Sequence, residues 1–316
     1  MQKDVDAIRG PAKRARRRDV ARAVPKDTTM DAPSPAVIAT VRTTAELREQ
    51  VRAWRRAGKT VGLVPTMGAL HAGHLSLVRR SLQVTDRTVI SLFVNPKQFA
   101  PHEDFSVYPR NEDRDGALLA ELGSHLLFAP HLEEMYPAGF ITGVSVPGLG
   151  DMLEGAFRPG FFTGVATVVT KLLLQCLPDR AFFGEKDYQQ LMVIRRLVRD
   201  LAIPVEIVGC PTVREADGLA LSSRNVYLSA AERSLAPKLH ETLHAVAQAV
   251  ANGADPSHEE GQAIENLLCA GFAKVDYIAV RDSDSLAPPS PKRSWRVLGA
   301  AFAGRTRLID NLAVPV

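Results

Sequence analysis

Nothing in this chain approaches the roughly 20 consecutive apolar residues that cross a bilayer as a helix. The longest apolar stretch, near Val165 to Leu177, is broken by threonines and Lys171. Cysteine is scarce. Cys176, Cys210 and Cys269 stand far apart with no C-x-x-C spacing, which indicates neither a zinc site nor a disulfide framework and fits a reduced, cytoplasmic setting. No apolar core follows the basic residues near the start, so that segment does not read as a secretory signal. Internal repeats are also lacking.

A strong charge imbalance is missing as well, despite a formal net charge of +4. Residues 1–35 hold nine basic and five acidic side chains, and that difference equals the net charge of the whole chain. The remainder is near neutral, so charge lends the folded part no nucleic-acid role. The run Lys13-Arg14-Ala15-Arg16-Arg17-Arg18 has the composition to touch RNA or acidic lipid. It reads more simply as a solvated, disordered extension, or as a start site placed upstream of Met30. Thr28 to Pro35 has the composition of a linker.

What remains is an alternation. Apolar runs at 60–64, 88–94, 125–129, 181–183 and 205–209 read as strands. Helical spacing lies between them at 74–84, 112–122, 162–177 and 187–201, after a first helix over 44–57 with Thr44 as its cap. Strand–helix alternation predicts a Rossmann-like α/β fold: a parallel sheet with helices on both faces. The character shifts near Cys210. Helices are expected over 229–251 and 259–273, then strands over 275–280, 297–302 and 306–312, with Pro288 to Pro291 as a loop. This gives three segments: the extension 1–35, a Rossmann-like domain 36–209, and a smaller C-terminal α+β domain 210–316 of mixed character.

The segment Val64-Pro65-Thr66-Met67-Gly68-Ala69-Leu70-His71-Ala72-Gly73-His74 carries the most chemistry. A buried strand ends, the chain turns at Pro65, Gly68 and Gly73, and a helix begins. Ligands of open α/β sheets bind at such strand ends, and helix N-termini attract phosphate. Two imidazoles there can donate to phosphate oxygens and stabilise developing charge. Two histidines three apart also suit half of a metal site, or a surface without function.

Further strings stand in order along the chain. Val94-Asn95-Pro96-Lys97-Gln98-Phe99 follows the second strand, then Tyr108-Pro109-Arg110, Phe128-Ala129-Pro130 and Met135-Tyr136-Pro137. Phe161 to Val169, Phe183-Gly184-Glu185-Lys186-Asp187-Tyr188-Gln189-Gln190 and Arg214 to Asn225 come next. Val275-Asp276-Tyr277 and Arg305-Thr306-Arg307-Leu308-Ile309-Asp310-Asn311 close the series. H-x-G-H after a strand resembles the nucleotidyltransferase superfamily that includes class I aminoacyl-tRNA synthetases. The whole ordered set resembles one branch of it, the pantoate–β-alanine ligase family, from about Thr40 to the carboxyl end.

The resemblance implies ATP-dependent condensation of pantoate with β-alanine to pantothenate through a pantoyl adenylate, releasing AMP and diphosphate. It implies ATP contacts from Met67, Gly68, Ala69, Leu70, His71 and His74, from Gly184, Glu185, Lys186 and Asp187, and from Val213. It also implies them from Leu221, Ser222, Ser223 and Arg224, a loop resembling the second ATP motif of tRNA synthetases. Leu221 stands where the family usually has Met, a swap that conserves volume. Gln98 and Gln190 correspond to pantoate ligands, and Gln98 borders β-alanine. His74 is the first choice for the catalytic role, as the histidine nearer the expected helix start, with His71 beside it. Phe93, Phe99 and Phe183 offer apolar contact to pantoate or simply fill the core. Asp187 is also placed to cap its helix. Mg²⁺ is expected to offset triphosphate charge, with Asp115 or Asp113 as its ligand; a favourable charge at a helix start explains either equally well. A homodimer is implied too.

Two other readings keep the fold. One is a nucleotidyltransferase that adenylates a mononucleotide, which the Gln98 and Gln190 strings oppose. The other is a tRNA-binding or regulatory protein using the basic extension, which removal of residues 1–29 separates from a ligase.

Overall fold

A computed structural model describes residues 37–100, 105, 108 and 110–315. The basic extension, the linker at 28–35, Met30 and Pro109 lie outside the described residues. Pro35–Val316 form one unit, in which two sheets are built one after the other.

The first sheet is parallel. Its strands are β1 (Thr40–Val41), β2 (Val61–Thr66), β3 (Arg87–Leu92), β4 (Leu126–Phe128), β5 (Arg180–Gly184) and β6 (Glu206–Cys210), in the order β1-β4-β3-β2-β5-β6. Its helices are α1 (Thr44–Arg56), α2 (Ala72–Val84), α3 (Glu112–Glu121), the short α4 (Leu132–Met135) and α5 (Glu154–Phe157), α6 (Phe161–Cys176) and α7 (Tyr188–Asp200). Strand side chains alternate between faces. Val61, Leu63, Val89, Phe128, Ala181 and Phe183 pack with α1, α6 and α7. Val64, Ile90, Leu127 and Phe182 face the other way, onto Leu77 and Val78 of α2 and Leu119 of α3. Both faces are therefore covered, as a parallel sheet requires.

The second sheet is β7 (Lys274–Asp282), β8 (Trp295–Ala303) and β9 (Thr306–Ala313). Every pairing in it is antiparallel. Ala303 pairs with Thr306, so Gly304 and Arg305 make a two-residue hairpin turn, with Gly304 at φ 57°. Helices α9 (Pro237–Ala251) and α10 (Pro256–Ala270) cover one face. The other face sends Ala279 and Leu298 into the core of the first sheet.

The differences from the sequence reading have local causes. The single helix expected over 229–251 is two, α8 (Ala230–Leu235) and α9, because Pro237 cannot supply an N–H to the helix before it. The cap of α1 is Thr43 rather than Thr44. Its hydroxyl accepts the Glu46 N–H at 3.2 Å, and Glu46 accepts the Thr43 N–H at 2.9 Å, a reciprocal capping box. Strand β1 has two residues, too few to show a period. Helix α2 begins at Ala72 with His71 as its cap, so His71 and not His74 stands at the helix start. Asp187 occupies the cap position of α7 without a capping hydrogen bond; Glu185–Asp187 form a 3₁₀ turn before it.

Helix α6 lies very close to the 3₁₀ turn Pro96–Gln98. A Cβ added at Gly164 would stand 2.1 Å from the Lys97 carbonyl oxygen. Gly164→Ala should therefore lower stability by about 1–3 kcal/mol, the usual range for overpacking, read as a reduced denaturation midpoint. A change within about 0.5 kcal/mol would show that the turn yields freely.

Candidate active site

The sheet order places the site. From β2 the chain steps to β3 on one side and later returns to add β5 on the other. Helix α2 after β2 and helix α7 after β5 cover opposite faces. The crevice at the carboxyl ends of β2 and β5 is the switch point at which such sheets bind ligands. A cavity of about 1250 Å³ opens there.

Four of the segments that line it carry residues assigned from sequence. The turn after β2 supplies Met67, His71, Gly73 and His74; Gln98 comes from the turn after β3; Gly184, Lys186, Asp187 and Gln190 follow β5; and Leu221, Ser222, Ser223 and Arg224 come from the segment after β6. These residues, scattered over more than 150 positions, share one cavity. Six other residues assigned from sequence lie behind its wall. Gly68 and Ala69 shape the turn with φ of 88° and 52°. Leu70 is buried in the core. Glu185 points to Arg296 at 3.7 Å. Val213 accepts the Leu221 N–H at 3.0 Å. Asp115 is fully buried beneath the turn.

The histidines form a pair, with ring centroids 4.1 Å apart. His71 Nδ1 accepts the Gly73 N–H at 3.1 Å, so the neutral ring carries its proton on Nε2. That contact requires glycine: a Cβ on Gly73 would be 2.9 Å from the His71 ring. His74 Nδ1 is buried without a hydrogen-bond partner. Burial, then the Lys186 ammonium, push His71 down from 6.5 to about 4, with Asp187 pulling the other way. Burial, His71 and Lys186 push His74 to about 3. Both rings are neutral donors near pH 7 in the free protein, and an anion beside them would raise both values.

Gln98 is held from two sides. Its Oε1 accepts from Asn95 Nδ2 at 3.0 Å, and its Nε2 donates to Met67 Sδ at 3.0 Å. Asn95 is itself fixed by the Tyr136 hydroxyl at 2.8 Å and the Gly164 carbonyl at 3.1 Å. The two glutamines on α7 divide their work. Gln189 is buried and donates to the carbonyls of Leu149 and Met152, which leaves Gln190 the more exposed of the two on the cavity wall. Ser222 Oγ accepts the Arg224 N–H at 3.2 Å and turns Ser223 toward Tyr108, whose hydroxyl lies 3.4 Å away. Phe93, Phe99 and Phe183 all reach the cavity.

Asp115 Oδ1 accepts the Leu70 N–H at 2.9 Å, while Oδ2 is buried with no partner. Burial raises its pKa, against the pull of the Leu70 and Ala69 N–H groups. Among the described residues no three His, Cys, Asp or Glu side chains are grouped to hold a metal ion. The opposite wall carries residues to which sequence reading assigned no role: Glu154, Arg158, His240, Asp276 and Arg307. Arg307 donates twice to Glu154, at 2.6 and 2.7 Å, and once to Asp276 at 2.8 Å. The strings of Asp276 and Arg307 were recognised and those of Glu154, Arg158 and His240 were not, because pairing between residues some 150 positions apart has no sequence period.

The model of the pantoate–β-alanine ligase family matches residues 39–313. The chain belongs to the pantoate–β-alanine ligase family. It is thus an enzyme that joins a carboxylate to an amine. It is 60% identical over 275 residues to the pantothenate synthetase of Paramagnetospirillum magneticum, covering 87% of this chain and 97% of that one. The Caulobacter vibrioides pantothenate synthetase is 57% identical over 278 residues, with 87% and 98% covered. Among solved structures, Thermus thermophilus pantothenate synthetase superposes with a TM-score of 0.83 at 50% identity, over 88% of this chain and all of that one. The Francisella tularensis ligase, solved with βγ-ATP and β-alanine, gives 0.75 at 33% identity over 87% and 97%.

The buried imidazoles set a pH dependence. Between about pH 3 and 6.5 the unfolded chain binds protons that these rings refuse. Their contribution to stability therefore grows as pH rises through that window and is lost as pH falls. His71→Asn/His74→Asn should flatten the fall in unfolding free energy between pH 6.5 and 4.5. NMR titration of the wild type should find neither ring with a midpoint above 5; a midpoint near 6.5 would show the rings solvated.

Proposed function

We propose that this ligase condenses pantoate with β-alanine at the expense of ATP in this cavity, in two steps. A pantoate carboxylate oxygen attacks the α-phosphorus; the new O–P bond forms as the bond to diphosphate breaks. The β-alanine amine then attacks the acyl carbon, a C–N bond forms, AMP leaves and the amine gives up a proton. The carrying observation is the convergence of His71, His74, Lys186 and the Ser222–Arg224 segment on one cavity with Gln98 and Gln190.

The residues divide the work by chemistry. His71 and His74 enter neutral, so each offers an N–H without demanding an anion first, and charge building on the phosphates draws them toward the imidazolium form. His74 is the proposed proton donor: its burial is the deeper, and a bound ligand would satisfy its orphaned Nδ1. Lys186 supplies a point charge, and Arg224 a planar fork for phosphate oxygens. Met67, Gly184, Asp187 and Leu221 to Ser223 form the remaining ATP contacts, while Gly68 to Leu70, Glu185 and Val213 shape the wall behind them. Gln98 and Gln190 bind pantoate without a charge that would trap its carboxylate in an ion pair, and Gln98 borders β-alanine.

Mg²⁺ would be held by the triphosphate and water. Mg²⁺ needs few protein ligands; Asp115, the carboxylate with an unpartnered Oδ2, lies buried behind the cavity wall and does not reach the ion as a ligand. The ion would neutralise phosphate charge. In this reading 36–209 is the ATP- and pantoate-binding domain and 210–316 closes over the nucleotide. The enzyme works in the cytoplasm as a homodimer; family resemblance supports this, and no helix among the described residues is long and apolar enough to cross a membrane.

The test is AMP and diphosphate release with ATP, Mg²⁺, pantoate and β-alanine. AMP should require both organic substrates, and chelation of Mg²⁺ should stop it. His74→Ala should lose on the order of 10²-fold or more in kcat while remaining folded. Gln190→Ala should raise the pantoate KM about tenfold or more, as loss of one or more hydrogen bonds to a charged ligand does. Absence of AMP from the wild type would defeat the reading.

A further inference from the structure

The motif ending in Asp310-Asn311 is not used by the chemistry above, yet both residues are buried at the cavity wall. We infer that Asp310 and Asn311 act together as a positioning node that holds the two ATP-gripping segments, Gly184–Asp187 and the arm Val213–Arg224, in one fixed frame. The inference rests on the proposal that both segments bind ATP.

Adjacent residues of a strand point to opposite faces, and β9 uses both. Asn311 lies opposite Leu298, on the face that meets the first sheet. Its Nδ2 donates one hydrogen to the Glu185 carbonyl and one to the Lys186 carbonyl, each at 2.9 Å. Its Oδ1 accepts from Arg296, whose guanidinium lies 3.8 Å over the Tyr188 ring at the start of α7. The amide is fully used, and everything it holds is the backbone of the lysine turn or its support. Only a side chain with two N–H donors on one atom can bridge those carbonyls.

Asp310 lies opposite Gly299, on the face toward α9. Arg214 grips it at 2.6 and 2.8 Å, and His240 of α9 approaches at 3.4 Å. Burial works against its charge, but the bonds from His240 and Arg214 hold its carboxyl below the ordinary value. Arg214 also donates to the Gly218 carbonyl at 3.0 Å and to the Asn311 carbonyl at 3.4 Å. It thus ties the arm across its own loop, where Arg214 bridges Ala220. Gly218 seats the arm against α9: a Cβ there would be 2.6 Å from the His240 ring. Leu221 to Arg224 leave directly from this anchored arm. One dipeptide on a rigid hairpin therefore sets the distance between Lys186 and the Ser222–Arg224 segment.

The test measures ATP rather than turnover alone. Asn311→Ala should weaken binding of a non-hydrolysable ATP analogue with Mg²⁺, by calorimetry, about tenfold or more. It should raise the KM for ATP in step while the KM for β-alanine moves less than threefold. Arg214→Lys keeps the charge without the fork and should fall between wild type and Arg214→Ala. A merely structural node would lower the melting temperature and the active fraction and leave the KM for ATP alone. ATP affinity within twofold of wild type in folded Asn311→Ala would overturn the inference. If that variant does not fold, the isosteric Asp310→Asn should show the same split between the two KM values, and ATP affinity within twofold of wild type there would overturn the inference equally. Wild type that binds ATP but forms no AMP would defeat the ligase proposal instead.

Discussion

The constraint on which the structure depends is the reversal of strand order at β2. Because β3 is added on one side and β5 on the other, helices α2 and α7 leave toward opposite faces and cannot close the gap between their N-terminal ends. Backbone N–H groups and the positive helix end at α2 open into that gap. Each functional segment is the continuation of a strand, so its position is set by the register of a sheet buried on both faces. The paired histidines are anchored between the end of β2 and the start of α2, a placement that would cost little reorganisation if charge develops beside them.

Burial then decides what those histidines are. In water an imidazole near pH 7 is divided between two forms. Here the desolvated turn and the nearby Lys186 keep both rings neutral until an anion arrives. The same environment leaves His74 Nδ1 and Asp115 Oδ2 without partners. Buried polar atoms are rarely left so, and both lie around the turn that would meet the triphosphate.

The second sheet supplies what the first cannot. A parallel sheet presents its strand ends in one row but offers no lid and no wall opposite. The β7–β9 sheet provides that wall, and its ion pairs and hydrogen bonds cross from one part of the chain to the other: Arg307 to Glu154 and Arg214 to Asp310 as ion pairs, Asn311 to the lysine turn by hydrogen bonds. Each is a buried charge or amide paired in full or nearly so. Such pairs add little net stability over apolar packing, but breaking one is costly, and that asymmetry makes them suited to fixing geometry.

Local order was legible in the residues alone. Strands β2 to β6 show apolar runs because both faces of the sheet are buried, and α1, α2, α6 and α7 show their spacing because one stripe of each is. Gly68 announced a turn, whereas Pro65 lies inside β2 and Gly73 in the first turn of α2; ordered short strings carried the family. What sequence periodicity could not show was anything set by contact across distance. It missed β1, too short for a period, and joined α8 to α9 across Pro237. It also put the start of α2 at His74 where the cap is His71. It named Gln98 and Gln190 but could not tell that Asn95 and Met67 hold the first, nor that Gln189 is spent on backbone carbonyls. The sequence by itself determined the alternation of strands and helices and the residue types that can grip a nucleotide, since these depend on nearest neighbours along the chain. Tertiary structure alone decided which of them share a cavity, which imidazoles are desolvated and which strand ties the lysine turn to the arm after β6, because those depend on neighbours through space.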